Sequence, residues 1–301
     1  MIGARAQRAA IAAVLGAALL AVAGCTAPAA QPEVSLVAGG LPGGVTAELQ
    51  QLRSDVAARQ AQVVVHNGTD ERLVVGGVEV ADPRFDGPAT RVAERDSIIA
   101  PGGTVGIRVQ LPAVACGEDL PADGELRPRL TFDYLLGDVS SVASAPIDDP
   151  LGFVPPLHER DCRAAAVADA AHVEFTDFDP SPPGEPAALS LFVAPTGRAA
   201  ATIVGIQTTN LLTFGEAAGA TIETYPIGMA VAEGGTGQAS ISLPIVPLRC
   251  DPHAVQEDKR GTIFDVEVEI DGVPGEIELA ASEDLRGEIL TWVADWCEFG
   301  S

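Results

Sequence analysis

The chain is poor in positive charge, in lysine and in aromatic residues. Among 301 residues, 18 basic side chains face 42 acidic ones, a formal net charge of -24, and Lys259 is the one lysine. Phosphate backbones are bound by clustered Arg and Lys, so nucleic acid is excluded as a partner. The chain also has no G-x-S-x-G elbow, no S-x-x-K around Lys259, no HExxH, no Walker or dinucleotide-binding glycine pattern and no C-x-x-C. Those absences remove the familiar hydrolase, metalloprotease, nucleotide and thiol-redox templates. No run of alternating Asp and Asn offers a calcium loop, and the four histidines, His66, His158, His172 and His253, are scattered. No cofactor and no catalytic or metal-ligating set is assigned.

What the chain has is a large apolar fraction, 47%, with 32 Gly and 23 Pro. That is ample for packed cores and excludes global disorder despite the charge. Residues 1–24 read as an export signal: Arg5 and Arg8 precede an uninterrupted apolar or small run, 9–24, too short to span a membrane. Val22-Ala23-Gly24-Cys25 has the form of a bacterial lipobox, in which the Cys25 thiol accepts a diacylglyceryl group. Two acyl chains suffice for stable anchoring. The expectation is a membrane-tethered protein facing an oxidising compartment; ordinary signal cleavage, with Cys25 incidental, is the competing reading. Residues 25–44, rich in Pro, Gly and Ala, read as a flexible tether. Over 45–60, Leu49, Leu52 and Val56 have helical spacing, which predicts a short amphipathic helix or an irregular stretch as far as Arg53.

The body of the chain repeats itself. Gly102-Gly103-Thr104, Leu111-Pro112 and Phe132-Asp133 recur 132 residues later as Gly234-Gly235-Thr236, Leu243-Pro244 and Phe264-Asp265. Cys116 aligns with Cys250, Asp149-x-x-Gly152 with Asp284-x-x-Gly287, and Cys162 with Cys297, the offset drifting only to 135. Upstream, VVGGVEV (74–80) aligns less well with TIVGIQT (202–208). Within each unit, GIRVQL (106–111), RLTFDYLL (129–136) and VEVEI (266–270) alternate apolar and polar residues, as half-buried strands do. The QVVVHN strand (62–67) ends at Asn67-Gly68, and Asp271-Gly272 through Gly275 marks a hairpin turn. About seven short strands per unit with Gly or Pro between them predict an all-β fold of two tandem β-sandwich domains, 45–167 and 168–301, joined in the Ala-rich stretch 164–171. A helical turn is expected in 287–296, where Ile289, Trp292, Val293 and Trp296 share a face; Pro155-Pro156 would shorten its counterpart.

With Cys25 lipidated, four cysteines allow three pairings. The repeat selects Cys116–Cys162 and Cys250–Cys297, one bond at equivalent points of each domain. Charge is uneven: 45–167 carries 11 basic and 19 acidic residues, net -8, whereas 168–301 carries 5 and 22, net -17. Three constellations carry candidate chemistry. Asp177, Asp179, Asp148 and Asp149 offer oxygen ligands for calcium between domains, against solvated loop carboxylates. His158-Glu159-Arg160-Asp161 mixes acid, base and cation, against a surface turn. Trp292, Trp296 and Phe299 offer a binding patch, against a lid on the sandwich end. Asn67-Gly68-Thr69 formally matches a glycosylation acceptor.

The lipobox, the Arg- and Ala-rich but Lys-poor composition and the two Cys-linked β-units resemble secreted lipoproteins of high-GC Gram-positive bacteria. LRSDVAARQAQVVVHNGTDE with the following PGG…LP…C segment is similar to the start of such actinobacterial proteins. The resemblance implies immunoglobulin-like domains on the extracytoplasmic face of the cell membrane and transfers no catalytic residue. The expected role is binding or scaffolding in the envelope, with the membrane (through the lipid on Cys25) and a protein as partners. The rival readings are a cation-binding module and a carboxylate-based hydrolase.

Overall fold

The computed structural model describes residues 37–38, 40–117, 127–215, 222–257 and 260–299. The export signal, Cys25 and the tether up to residue 36 lie outside the described residues. Residues Leu36–Ser301 group into one compact unit, within which two separate hydrophobic cores form.

The first sandwich runs β1 Val37–Ala38, β2 Val45–Gln50, α1 Arg53–Val56, β3 Gln60–Asn67, β4 Leu73–Ala81, β5 Ala89–Arg91, β6 Ser97–Ile99, β7 Thr104–Gln110, β8 Arg129–Leu136, β9 Val139–Pro146 and α2 Val154–Ala170. The second runs β10 Ala171–Asp179, β11 Ala187–Pro195, β12 Ala201–Gln207, β13 Leu212–Phe214, β14 Thr224–Val231, β15 Ala239–Pro247, α3 Pro252–Glu257, β16 Ile263–Ile270, β17 Val273–Ala280 and α4 Glu283–Trp296.

The repeat seen in the sequence is a repeat of topology. In the second sandwich the sheets are β10-β11-β15-β13 and β14-β12-β16-β17. In the first, β2-β3-β7 corresponds to β10-β11-β15, and β6, β4, β8 and β9 correspond to β14, β12, β16 and β17. One difference stands out. β5 pairs with both β4 and β7, stitching the first domain's strands into one continuous sheet, whereas its counterpart β13 pairs with β15 among named strands. The alternation read from the sequence supplies both cores. Ile107, Val109, Leu130 and Phe132 are buried in one, Val266 and Val268 in the other beside Phe214, Phe264 and Ile203. Each fully buried side chain of this size contributes roughly 1.5–3 kcal/mol.

Local details repeat as well. Gly102 and Gly234 have φ of 72° and 73°, and the following Gly103 and Gly235 donate back to Ala100 O and Ala232 O at 2.9 and 3.0 Å. These are tight turns into β7 and β15. β4 and β12 both carry a bulge, between Val75 and Val78 and between Ile203 and Gly205, so the weak upstream alignment is structurally real. Asn67-Gly68 ends β3 but closes no hairpin, because β3 pairs with β2 and β7 while β4 joins β8.

Several expectations change. Residues 45–50 form an edge strand rather than a helix: Val45 and Leu49 are buried and β2 pairs along β3. Only Arg53–Val56 is helical, and Val56 and the preceding Leu52 stay exposed. Pro155-Pro156 does not shorten α2, which at 17 residues exceeds the 14 of α4. The prolines occupy the first turn, where a missing N–H breaks no helical bond, and Asp149 Oδ2 accepts from Val154 N at 3.0 Å to start the helix. The second helix begins at Glu283 rather than Gly287, because Ser282 Oγ caps Leu285 N at 3.3 Å. The β16–β17 turn is only Asp271-Gly272, both with positive φ, 52° and 78°, the geometry of a two-residue hairpin loop.

The Ala-rich join is the last part of α2, which runs directly into β10. α2 serves both sandwiches: Val154 and Leu157 pack in the first core, Val167 and Ala170 in the second.

Candidate functional site

Each sandwich forms a cleft between its C-terminal helix and the loop joining its first two long strands. The two clefts have opposite charge.

The first cleft, about 520 Å³, lies at the junction of the sandwiches and is lined by Arg53, Arg59, Arg160, Asp161, Arg260 and Glu278 over an apolar floor. Arg59 Nη1 meets Asp161 Oδ2 at 2.6 Å, and Arg160 reaches Asp161 at 3.7 Å and Glu278 at 3.5 Å. Arg260 binds the same Glu278 oxygen at 2.7 Å. Cation and anion alternate across the junction, from the start of β3 through α2 to β17. Beside it, Arg163 Nη1 donates to Glu276 O at 3.1 Å. Asp265, opposite Glu278 in the ladder, has its carboxyl raised, first by burial, then by Glu278, while Arg260 pulls the other way. A raised carboxyl beside a second carboxylate is one half of hydrolase chemistry. Here, however, the partner Glu278 is already held by Arg160 and Arg260.

The second cleft, about 780 Å³, is bounded by Phe178, Pro180, Ser181 and the α4 residues Glu283, Asp284, Glu288, Thr291, Trp292 and Asp295. Trp292 is buried and meets Phe178 edge-on at 5.5 Å, and Trp296 meets Trp292 at 6.5 Å. Both indoles bind the 180–186 loop: Trp292 Nε1 donates to Ser181 O at 2.9 Å and Trp296 Nε1 to Glu185 O at 3.0 Å. Trp292 therefore seals the sandwich end while its neighbours form the wall of an open cleft.

Cys116 is bonded to Cys162 and Cys250 to Cys297, tying α2 and α4 to the segments after β7 and β15. His158-Glu159-Arg160-Asp161 is not a surface turn but part of α2. His158 Nε2 lies 2.9 Å from Ala115 O and 3.4 Å from Cys162 Sγ, beside the first disulfide. Asp177 and Asp179 are exposed on β10, while Asp149 caps α2 with its second oxygen buried and unpartnered. Among the described residues no group of three or more His, Cys, Asp or Glu is placed to hold a metal ion. Asn67 is fully buried: its amide donates to Glu71 O and Ile99 O at 2.8 and 3.1 Å and accepts from Thr69. It is closed to modification in the folded protein. Of the junction residues, Arg160 and Asp161 stood out in the sequence, whereas Arg59, Arg260 and Glu278 had no signal there; Arg59 and Asp161 stand 102 positions apart.

No protein-family model matches the chain, and no curated protein matches it either. Solved structures show loose likenesses. The YadV chaperone is 15% identical, with 78% of this chain and 98% of that one covered and a TM-score of 0.20. The CsuC–CsuE chaperone–tip adhesion subunit complex of Acinetobacter baumannii is 14% identical, covering 75% and 93%, with a TM-score of 0.20. A red sea bream transglutaminase is 10% identical, covering 81% and 32%, with a TM-score of 0.22. Likenesses this loose carry no weight for function.

Proposed function

We propose that the chain is a non-catalytic binding or scaffolding protein, lipid-anchored through Cys25 on the extracytoplasmic face of a bacterial membrane. Residues 1–24 are its export signal. The stretch read as a tether, 25–44, is one only up to residue 36, because Val37–Ala38, Gly40 and Leu41 belong to the first sandwich. The two domains, read as 45–167 and 168–301, meet inside α2. The observation that carries this reading is the pair of disulfides at equivalent points of two sandwiches locked together by α2. Such bonds persist in oxidising compartments, and the fixed body displays loops and a cleft to partners rather than enclosing a reaction. No helix among the described residues is long and apolar enough to cross a membrane.

Cell fractionation of wild type and Cys25→Ala tests the anchor. The wild type is expected in the membrane fraction, accessible to added protease on intact cells, and the variant in the medium. Undiminished membrane association of Cys25→Ala would overturn the assignment.

A further inference from the structure

Basic side chains are few in this chain, 18 against 42 acidic ones, yet they are not scattered. The four arginines of the junction cleft come from α1, the turn into β3, α2 and the segment before β16. A further basic cleft, about 340 Å³, lies over β3 and β7, where Arg91, Arg95 and Arg108 meet Gln62, Val92 and Val105. The short helix α1 stands between the two. Arg53 and Val56 line the junction cleft. On the other side, buried Asp55 accepts from Gln62 Nε2 at 2.8 Å and pairs with Arg108 Nε at 3.4 Å. Four helical residues measure about 6 Å, so one bound segment reaches both clefts.

We propose that these two arginine-lined clefts form one docking surface for an extended acidic segment of a partner protein. The inference rests on the binding role proposed above and names the partner's chemistry. Two carboxylates already show how the surface holds an acid. Asp161 sits between Arg59 and Arg160 at 2.6 and 3.7 Å, and Glu278 between Arg160 and Arg260 at 3.5 and 2.7 Å. The planar guanidinium suits such carboxylate contacts better than an ammonium does. Arg53 and Arg95 are exposed, one in each cleft, and neither side chain has a hydrogen bond or ion pair within the described residues. They are the cations that carboxylates of a partner would take up.

A second, independent feature points to a peptide. Large apolar side chains are exposed among these arginines: Leu52 at 44% and Val56 at 37% on either side of α1's first turn, and Val92 at 45% beside Arg91. Val56, Ala57, Ala164 and Ile263 floor the junction cleft. Arginine beside exposed apolar groups, without lysine, is the composition of a protein interface. A phosphate polymer is a poorer fit, having nothing for the apolar floor and meeting the repulsion of a chain of net charge -24 along its length. A second copy of this chain brings that same charge to the contact. The surface is also set in advance. Asp55 fastens α1, and the Arg91 guanidinium donates to Val75 O, Gly76 O and Ser97 Oγ at 3.0, 2.6 and 2.7 Å. Little ordering is left for a ligand to impose.

A fluorescein-labelled peptide, Glu-Leu-Glu-Glu-Leu-Glu, titrated into the disulfide-intact chain should bind saturably by anisotropy. The titration is run at about physiological ionic strength, where distant surface charges are screened. Arg53→Gln with Arg95→Gln should weaken binding at least about ten-fold, the size of one lost charge-assisted contact. Arg129→Gln with Arg249→Gln, both exposed and in neither cleft, should change it less than about two-fold, as loss of bulk charge would. No binding to the wild type, or equal weakening by both pairs, overturns the proposal. The Arg53/Arg95 variant should melt no lower than wild type; a lower Tm would make these arginines structural and overturn it as well. Inorganic polyphosphate of equal charge should displace the labelled peptide less well than the unlabelled peptide does; equal displacement would assign the clefts to a phosphate polymer instead. Sedimentation should show a monomer with or without peptide, and an oligomer that the peptide dissolves would assign them to a second copy. None of these outcomes depends on Cys25, so failure here leaves the fractionation result to judge the anchor separately.

Discussion

The Arg163 guanidinium lies over Gly275 of β17, in the space that a Cβ at that position would fill. Glycine there lets α2 settle on the second sandwich and lets Arg163 reach Glu276 O. Gly275→Ala should push the guanidinium away and cost about 1–3 kcal/mol, as overpacking does. Its effect should appear as earlier proteolysis in α2. Unchanged proteolysis and Tm would mean that the contact contributes nothing.

Each disulfide closes a loop of 46 or 47 residues. Cys250→Ser with Cys297→Ser should lower stability by about 4 kcal/mol in the chain-entropy model, measured by urea unfolding at pH 7. The second sandwich should lose its protection first in hydrogen exchange.

Asn67→Ala should be costly despite its position beside a turn. Removing the amide leaves Glu71 O and Ile99 O without that donor in a buried place, which costs about 1–3 kcal/mol. Urea unfolding is the check, and a loss below about 0.5 kcal/mol, the size of an ordinary surface substitution, would contradict the role assigned to it.

Asp265 gives a pH signature. Its carboxyl is raised above the ordinary 3.8 by burial first, then by Glu278 and Glu276, against Arg260 and Arg160. The folded protein therefore holds this proton more tightly than the unfolded chain. The contribution is fully present below pH 3.8 and is lost as pH rises through the raised folded value. Asp265→Asn should melt higher than wild type at neutral pH, with the advantage vanishing in acid. A variant less stable than wild type at pH 7 would contradict this.

Much of the fold was legible because strand alternation is a local signal. Ile107 and Val109, or Val266 and Val268, declare their buried face within a few residues. The repeat then paired four cysteines that composition alone could not. β2 was not legible because Leu49, Leu52 and Val56 mimic a helical face, whereas pairing with β3 buries Val45 and Leu49. α2 was underestimated because proline in a helix is read as a breaker, yet in the first turn it removes no bond. The junction was only partly legible: Arg160 and Asp161 are neighbours that the sequence marks out, but Arg59 and Glu278 are distant from them and converge only once α2 spans both cores. The cleft on α4 was half legible, since the sequence marks out Trp292 and Trp296 but not the 180–186 loop that both indoles bind.

α2 packs into both cores and so fixes the two sandwiches as one body. Spin labels at Val139 and Val273, exposed residues at the tips of the β8–β9 and β16–β17 hairpins, measure this by pulsed electron resonance. One narrow distance distribution is predicted for the wild type, broadening in Arg160→Glu, which sets like charges against Asp161 and Glu278. A broad distribution in the wild type would contradict the claim.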